Sequence, residues 1–177
     1  MRLTLVLTAG LLSFPLAAHA DLLGDSVDVV YAYPTSTTTY VDLGNTVVPG
    51  LGTFPTVASY YISANQIYVT AAQGESFFPT AFNGFEFTDV TRDPGITGVT
   101  VDAASTPTVS GELVSFTSNM VDLNLANVGT ISAGDTIVLD LSFAPATSVT
   151  PEPSSIALLG TGLLGVAGTM RRRFLRA

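Results

Sequence analysis

Cysteine, tryptophan and lysine do not occur in these 177 residues, and the one histidine, His19, lies close to the N-terminus. Without cysteine there is no disulfide to staple the chain, so any folded part must rest on its own core. With one histidine and no thiolate, a protein-only zinc site lacks its usual ligands. Nucleophilic catalysis needs a neighbouring base of suitable pKa, most often His or Lys. Serine and threonine are abundant, but such a base is not at hand. The lack of lysine also removes the Lys–Asn cross-links that toughen some surface β-domains. No Asn is followed two positions later by Ser or Thr, so acceptors for N-linked sugar are absent too.

Positive charge is scarce and unevenly placed. Between residues 21 and 150 a single arginine, Arg92, stands against thirteen acids, a local net charge of −12 that the whole-chain value of −8 conceals. Such a surface repels phosphate backbones and anionic headgroups, which excludes nucleic acid as an expected partner. It favours solubility outside the cell and leaves divalent cations or basic polymers as attracted species.

The remaining arginines sit at the ends. Arg2 precedes an apolar run, Leu3 to Leu16, and Ala18-His19-Ala20 then gives the small-x-small pattern of a signal cleavage site. Residues 1–20 therefore read as a secretory signal peptide, with Asp21 opening the mature chain. At the other end, Pro151-Glu152-Pro153 cannot extend a helix, because each ring removes a donor and biases its predecessor toward extended geometry. Ser154 to Met170 follows with no charge over 17 residues, the short end of what spans a hydrocarbon core as a helix. Arg171-Arg172-Arg173, with Arg176 behind, would stop such a span on the cytoplasmic side. Thr161, Gly165 and Thr169 form a small-xxx-small row, common in apolar helices rich in glycine.

That tripartite tail resembles the PEP-CTERM sorting signal of Gram-negative bacteria that make extracellular polysaccharide. The resemblance rests on Pro151, Glu152 and Pro153, the run ending in Ala167-Gly168-Thr169-Met170, and the basic Arg171-Arg172-Arg173. It implies that a membrane enzyme, an exosortase, processes the tail near the triplet. These residues would then be a substrate site for another enzyme, and the protein would be membrane-anchored by its C-terminal helix before reaching the cell surface or matrix.

Between the ends, residues 21–143 have the length of one domain, and residues 144–150 read as an exposed linker presenting the triplet. The pattern is β throughout. Val27, Val29, Tyr31 and Tyr33 alternate with Asp28, Val30 and Ala32. Tyr40-Val41-Asp42-Leu43, Thr56 to Ser63 and Gln66 to Ala72 predict further strands, while Gly44-Asn45, Pro49-Gly50 and Asp93-Pro94-Gly95 predict turns. Phe77, Phe78, Phe82, Phe85 and Phe87 are too dense for a surface and predict a core anchor. Ile96 to Val101 reads as a short strand, and Leu113 to Thr117 with Met120 to Leu125 as a hairpin turning at Ser118-Asn119. In the last strand Ile137, Leu139, Leu141 and Phe143 should face inward. Eight or nine short strands and no helix before the tail predict an all-β fold, an antiparallel β-sandwich with Greek-key or jelly-roll connections. The stretch Ser76 to Phe143, with Phe82-Asn83-Gly84-Phe85-Glu86-Phe87-Thr88-Asp89, Ile96-Thr97-Gly98-Val99-Thr100-Val101 and Ser132-Ala133-Gly134-Asp135-Thr136-Ile137, also looks like a β-domain recurring in PEP-CTERM proteins. That likeness implies a fold and no defined activity.

The residues available for chemistry are few. A carboxylate pair can run glycoside hydrolysis, and Glu75, Glu86, Asp89, Asp93 and Asp102 are the raw material. Tyr31, Tyr33, Tyr40, Tyr60, Tyr61 and Tyr68 offer stacking surfaces for sugar, although alternating tyrosines more often serve a core. Asp89, Asp93 and Asp102 flank one turn region, without the ligand spacing of a calcium loop. The Ser/Thr runs Thr35 to Thr39 and Ser148 to Thr150 could carry O-linked sugar. No catalytic residue, cofactor or metal is expected. The expected function is an exported, non-catalytic surface or matrix protein with a structural or adhesive role in biofilm or exopolysaccharide. A carbohydrate-binding module is the alternative, and an acid-pair glycosidase the remote one.

Overall fold

Alternation of apolar and polar residues over five to nine positions gives each strand one face to bury. The computed structural model describes residues 21–91, 95–106, 113–145 and 159–163. Among these are twelve strands, β1 to β12 in chain order. One sheet takes β1 (Ser26–Ala32), β2 (Thr39–Val47), β7 (Gly84–Asp89), β9 (Val114–Phe116) and β10 (Met120–Asn124), in the order β2-β1-β7-β10-β9. A second takes β3 (Gly50–Phe54), β4 (Ala58–Ile62), β5 (Gln66–Ala71), β8 (Ile96–Val101) and β12 (Thr136–Phe143), in the order β3-β4-β5-β12-β8. A two-stranded ribbon pairs β6 (Glu75–Ser76) with β11 (Thr130–Ile131). Every pairing is antiparallel, so the all-β, antiparallel expectation is met.

The two large sheets share one apolar core. Val27, Val29 and Tyr31 of β1 are buried beside Phe85, Phe87, Val121 and Leu123, together with Tyr60, Ile62, Ile67, Ile137, Leu139 and Leu141 of the other sheet. Aromatic rings join the two contributions. Phe54 lies 4.9 Å from Tyr31 and 6.5 Å from Phe85, and Tyr60 lies 6.0 Å from Phe87, centroid to centroid. Offset and edge-on contacts of this kind add to the gain from area burial. All the strands belong to one compact unit, His19–Ala146.

The sequence pattern misses three strands. β3 is spelled Gly-Leu-Gly-Thr-Phe, whose glycines read as punctuation. Gly52 faces Tyr60, and a Cβ there would enter the tyrosine ring, so the glycine makes room for an aromatic packed across the strands. β6 and β11 are two residues each, too short for any period to show. The phenylalanine cluster also divides. Phe82, Phe85 and Phe87 are buried and Phe77 packs against the core, but Phe78 is 69 % exposed. Val138, expected to alternate outward, is buried because Ser105 covers it, its hydroxyl accepting the Val138 N–H at 2.9 Å.

The proposed signal segment with Ala18 and Ala20, the triplet Pro151, Glu152 and Pro153, and the basic Arg171, Arg172 and Arg173 lie outside the described residues, as do Asp93 and residues 146–150 of the linker. Of the apolar segment 154–170, residues 159–163 are described and are helical. Among the described residues no helix is long and apolar enough to cross a membrane.

Gly84 sits where β7 is squeezed between β1 and β10, and a Cβ there would collide with the Leu123 backbone carbonyl. Gly84→Ala should lower stability by about 3 kcal/mol, or Tm by roughly 10 °C. At Gly98 a Cβ would meet only Ser142, at an ordinary 3.6 Å, so Gly98→Ala should leave Tm unchanged or slightly raised. Thermal unfolding of both variants checks the contrast, and equal losses would refute it.

Candidate functional site

The buried aromatic contacts run out at one end of the two-sheet unit into an open cleft of about 290 Å³. Tyr31 comes from the end of β1 and Tyr33 from just after it, Tyr40 from the start of β2 and Phe54 from the end of β3. Opposite them stand Glu75, Ser76, Phe77, Phe78 and, just before β7, Asn83. Tyr40 is 65 % exposed and meets Tyr31 and Tyr33 edge-on, with centroids 6.4 and 6.2 Å away. Tyr40 and Phe78 are the exposed rings of the cleft, and the partly buried Tyr33 and Phe77 lie beside them in its lining.

The polar groups of the cleft are positioned from below. Asn83 is buried, and its Oδ1 accepts the Tyr31 hydroxyl at 2.5 Å. Its backbone is tied on both sides: the N–H donates to Asn124 Oδ1 at 3.1 Å, and the carbonyl accepts the Leu125 N–H at 2.9 Å. The Asn83 carboxamide nitrogen has two N–H donors. It makes one long bond, 3.4 Å, to the Phe78 carbonyl. Burial, then the Glu75 carboxylate, then Tyr40, push the Tyr31 phenol well above its ordinary range, so it stays a neutral donor. Glu75 is placed by the β6–β11 ribbon and accepts the Gln73 side-chain amide at 2.7 Å. Behind the cleft, Glu75 and Asp135 line a separate cavity of about 20 Å³, room for about one water.

Of the six tyrosines, the fold brings Tyr31, Tyr33 and Tyr40 together in this cleft. Tyr60 is core. Tyr61 and Tyr68 pair on the outer face of the second sheet, centroids 5.9 Å apart, where the Tyr68 hydroxyl donates to Gln66 and Gln66 in turn donates to Asp140. Phe54, Asn83 and Phe78 complete the cleft and were not legible as site residues, since no local pattern says that residues 31–40, 54 and 75–83 converge.

Two of the described candidate acids serve turns. Asp89 is buried at the end of β7 and accepts the Thr91 N–H, and Asp102 accepts the Ala104 N–H in the turn after β8. Both are turn-forming contacts. Glu86 instead faces a residue the pattern did not single out, Asp122, directly across β7 and β10 on the outer face of the first sheet. Asp122 Oδ2 accepts the Ser115 hydroxyl, while Oδ1 is buried with no hydrogen-bond partner. Burial raises the pKa of both carboxyls; the Asp122 charge raises that of Glu86 further, and the Ser115 bond partly offsets the rise at Asp122. Among the described residues no group of three or more His, Cys, Asp or Glu is placed to hold a metal ion.

Residues 149–173 match the family model described as the PEP-CTERM protein-sorting motif. The match covers the triplet, the apolar run and the arginine cluster, and it marks the chain as an exosortase-directed surface protein. No curated protein and no solved structure matches the chain.

The Glu86–Asp122 pair fixes a pH dependence. Both carboxyls keep their protons to higher pH when folded than when unfolded, so their contribution to stability is full below the unfolded carboxylate pKa. It is lost as pH rises through the raised folded values. Asp122→Asn keeps an oxygen for Ser115 and gives Glu86 a donor in place of a like charge. This variant should raise Tm at about pH 7 by roughly 2 °C and flatten the decline between about pH 4 and 7. Melting curves across that range check it, and an unchanged profile would refute the coupling.

Proposed function

We propose that this chain is an exported, non-catalytic surface or extracellular-matrix protein, delivered by its tail and used for structure or adhesion in a polysaccharide-rich biofilm. The PEP-CTERM motif at residues 149–173 is the observation that carries the reading. Residues 1–20 act as the signal peptide and are removed before Asp21. The apolar segment 154–170 spans the inner membrane as a helix, with Arg171, Arg172 and Arg173 on the cytoplasmic side. An exosortase-type enzyme then processes the chain near Pro151-Glu152-Pro153. The unit released to the outside is an antiparallel β-sandwich with Greek-key or jelly-roll crossovers between its sheets.

A non-catalytic role fits the chemistry of the part outside. Residues 21–150 hold no His, Cys or Lys. Among the described residues Glu75 is the acid that lines the cleft, whereas glycoside hydrolysis uses two carboxylates about 5–10 Å apart across the substrate. The cleft favours a second reading, a carbohydrate-binding module that attaches the protein to exopolysaccharide.

Processing is tested by the intact mass of the native protein from membrane and medium fractions, beside Glu152→Ala. The natural chain should begin at Asp21 and end near the triplet, outside the membrane fraction. Glu152→Ala should keep its C-terminus through Ala177 and stay in the membrane. Identical masses and fractions for the two chains would overturn the proposed role of the triplet.

A further inference from the structure

We propose that the cleft between Tyr40 and Phe78 binds a single neutral sugar residue, as a chain end or side branch of a polysaccharide. The inference rests on the second, carbohydrate-binding reading and names its site and ligand class. A pyranose ring presents an apolar C–H face and a rim of hydroxyls, and the cleft offers the complement of both. Tyr40 and Phe78 supply exposed aromatic surface to the cleft, and the partly buried Tyr33 and Phe77 line it beside them. The volume, about 290 Å³, lies at the bottom of the range for small-molecule sites and suits one ring better than a run of several.

Asn83 supplies the independent polar signal. It is 5 % exposed, lines the cleft, and spends its oxygen on Tyr31 and only one long N–H bond on the Phe78 carbonyl. A buried amide donor left over in a ligand-sized space calls for an acceptor such as a sugar hydroxyl. That leftover donor argues against a cationic ligand, which would present no acceptor to it. Glu75 accepts from a hydroxyl and repels a carboxylate, and the surrounding charge of −12 over residues 21–150 disfavours every acidic sugar.

The test titrates the full-length chain in detergent with methyl glycosides of glucose, galactose, mannose and N-acetylglucosamine, followed by ligand-observed NMR. Methyl glucuronide serves as the anionic comparison and tetramethylammonium as the cationic one. At least one neutral glycoside should bind saturably. Tyr40→Ala should weaken it about tenfold or more, while Tyr40→Phe should stay within about threefold, since the ring and not the hydroxyl makes the contact. Tyr61→Ala, on the outer face of the other sheet, should change nothing. Tyr40 is exposed on an edge strand, so an unchanged melting temperature separates lost binding from lost fold. Saturable binding of glucuronide or tetramethylammonium in place of a neutral sugar overturns the proposal. So does the absence of binding by any neutral glycoside, or an equal loss in Tyr61→Ala. Localisation of Glu152→Ala is independent of these titrations, so failure of the sorting role and failure of the cleft are read separately.

Discussion

The seam of rings between the two sheets, from Tyr60 and Phe87 through Phe85 to Phe54 and Tyr31, replaces the covalent staples that many exported domains use. Phe85 and Phe87 stack with centroids 6.0 Å apart, and each also meets a ring from the opposite sheet. Burying such large apolar surfaces is what offsets the ordering of more than a hundred residues without a disulfide. The constraint is geometric as much as energetic. Gly52 and Gly84 are, with Gly50, places where backbone or side chain must come closer than any Cβ allows, and both serve strands that carry or face the seam.

The cleft is where that seam stops. Tyr31 belongs to both, one edge packed on Phe85 with centroids 5.0 Å apart and its hydroxyl holding Asn83 beneath the opening. Tyr31 and Phe54 line the cleft and also belong to the seam that joins the sheets, so part of its lining is held by the core. That is an economical way to preorganise a shallow surface site, since rings already immobilised lose little further entropy on binding.

Most of the fold was legible in the sequence because its strongest signal, period-two alternation, is local. β1, β7, β10 and β12 follow it closely, and most of their buried residues are the ones the alternation names, Ala32 and Val138 being exceptions. The failures share one physical cause: the deciding interaction lies elsewhere in the chain. β3 pairs with β4 through a glycine that leaves room for Tyr60, the β6–β11 ribbon forms where two distant segments meet, and Val138 is bonded to a turn more than thirty residues away. The cleft was legible only in part. Its three tyrosines and Glu75 were recognisable as residue types suited to sugar, but their convergence with Phe54, Phe78 and Asn83 depends on the crossing between sheets. The sorting tail was the reverse case, read from order and spacing alone because its meaning is carried by linear sequence.

The two sheets end in four edge strands, β2 and β9 on one and β3 and β8 on the other. Many β-proteins guard such edges with lysine, which this chain does not contain. Bulges in the pairing of β1 with β2 and of β12 with β8 twist two of the edges, and Asp42 charges β2. Beyond that, the net charge of −12 over residues 21–150 would set one copy against another by mutual repulsion. Such a barrier is colloidal, not structural: it weakens as the Debye length shrinks and as carboxylates take up protons. Edges protected by charge in this way would be guarded best in dilute neutral medium and least in salty or acidic surroundings.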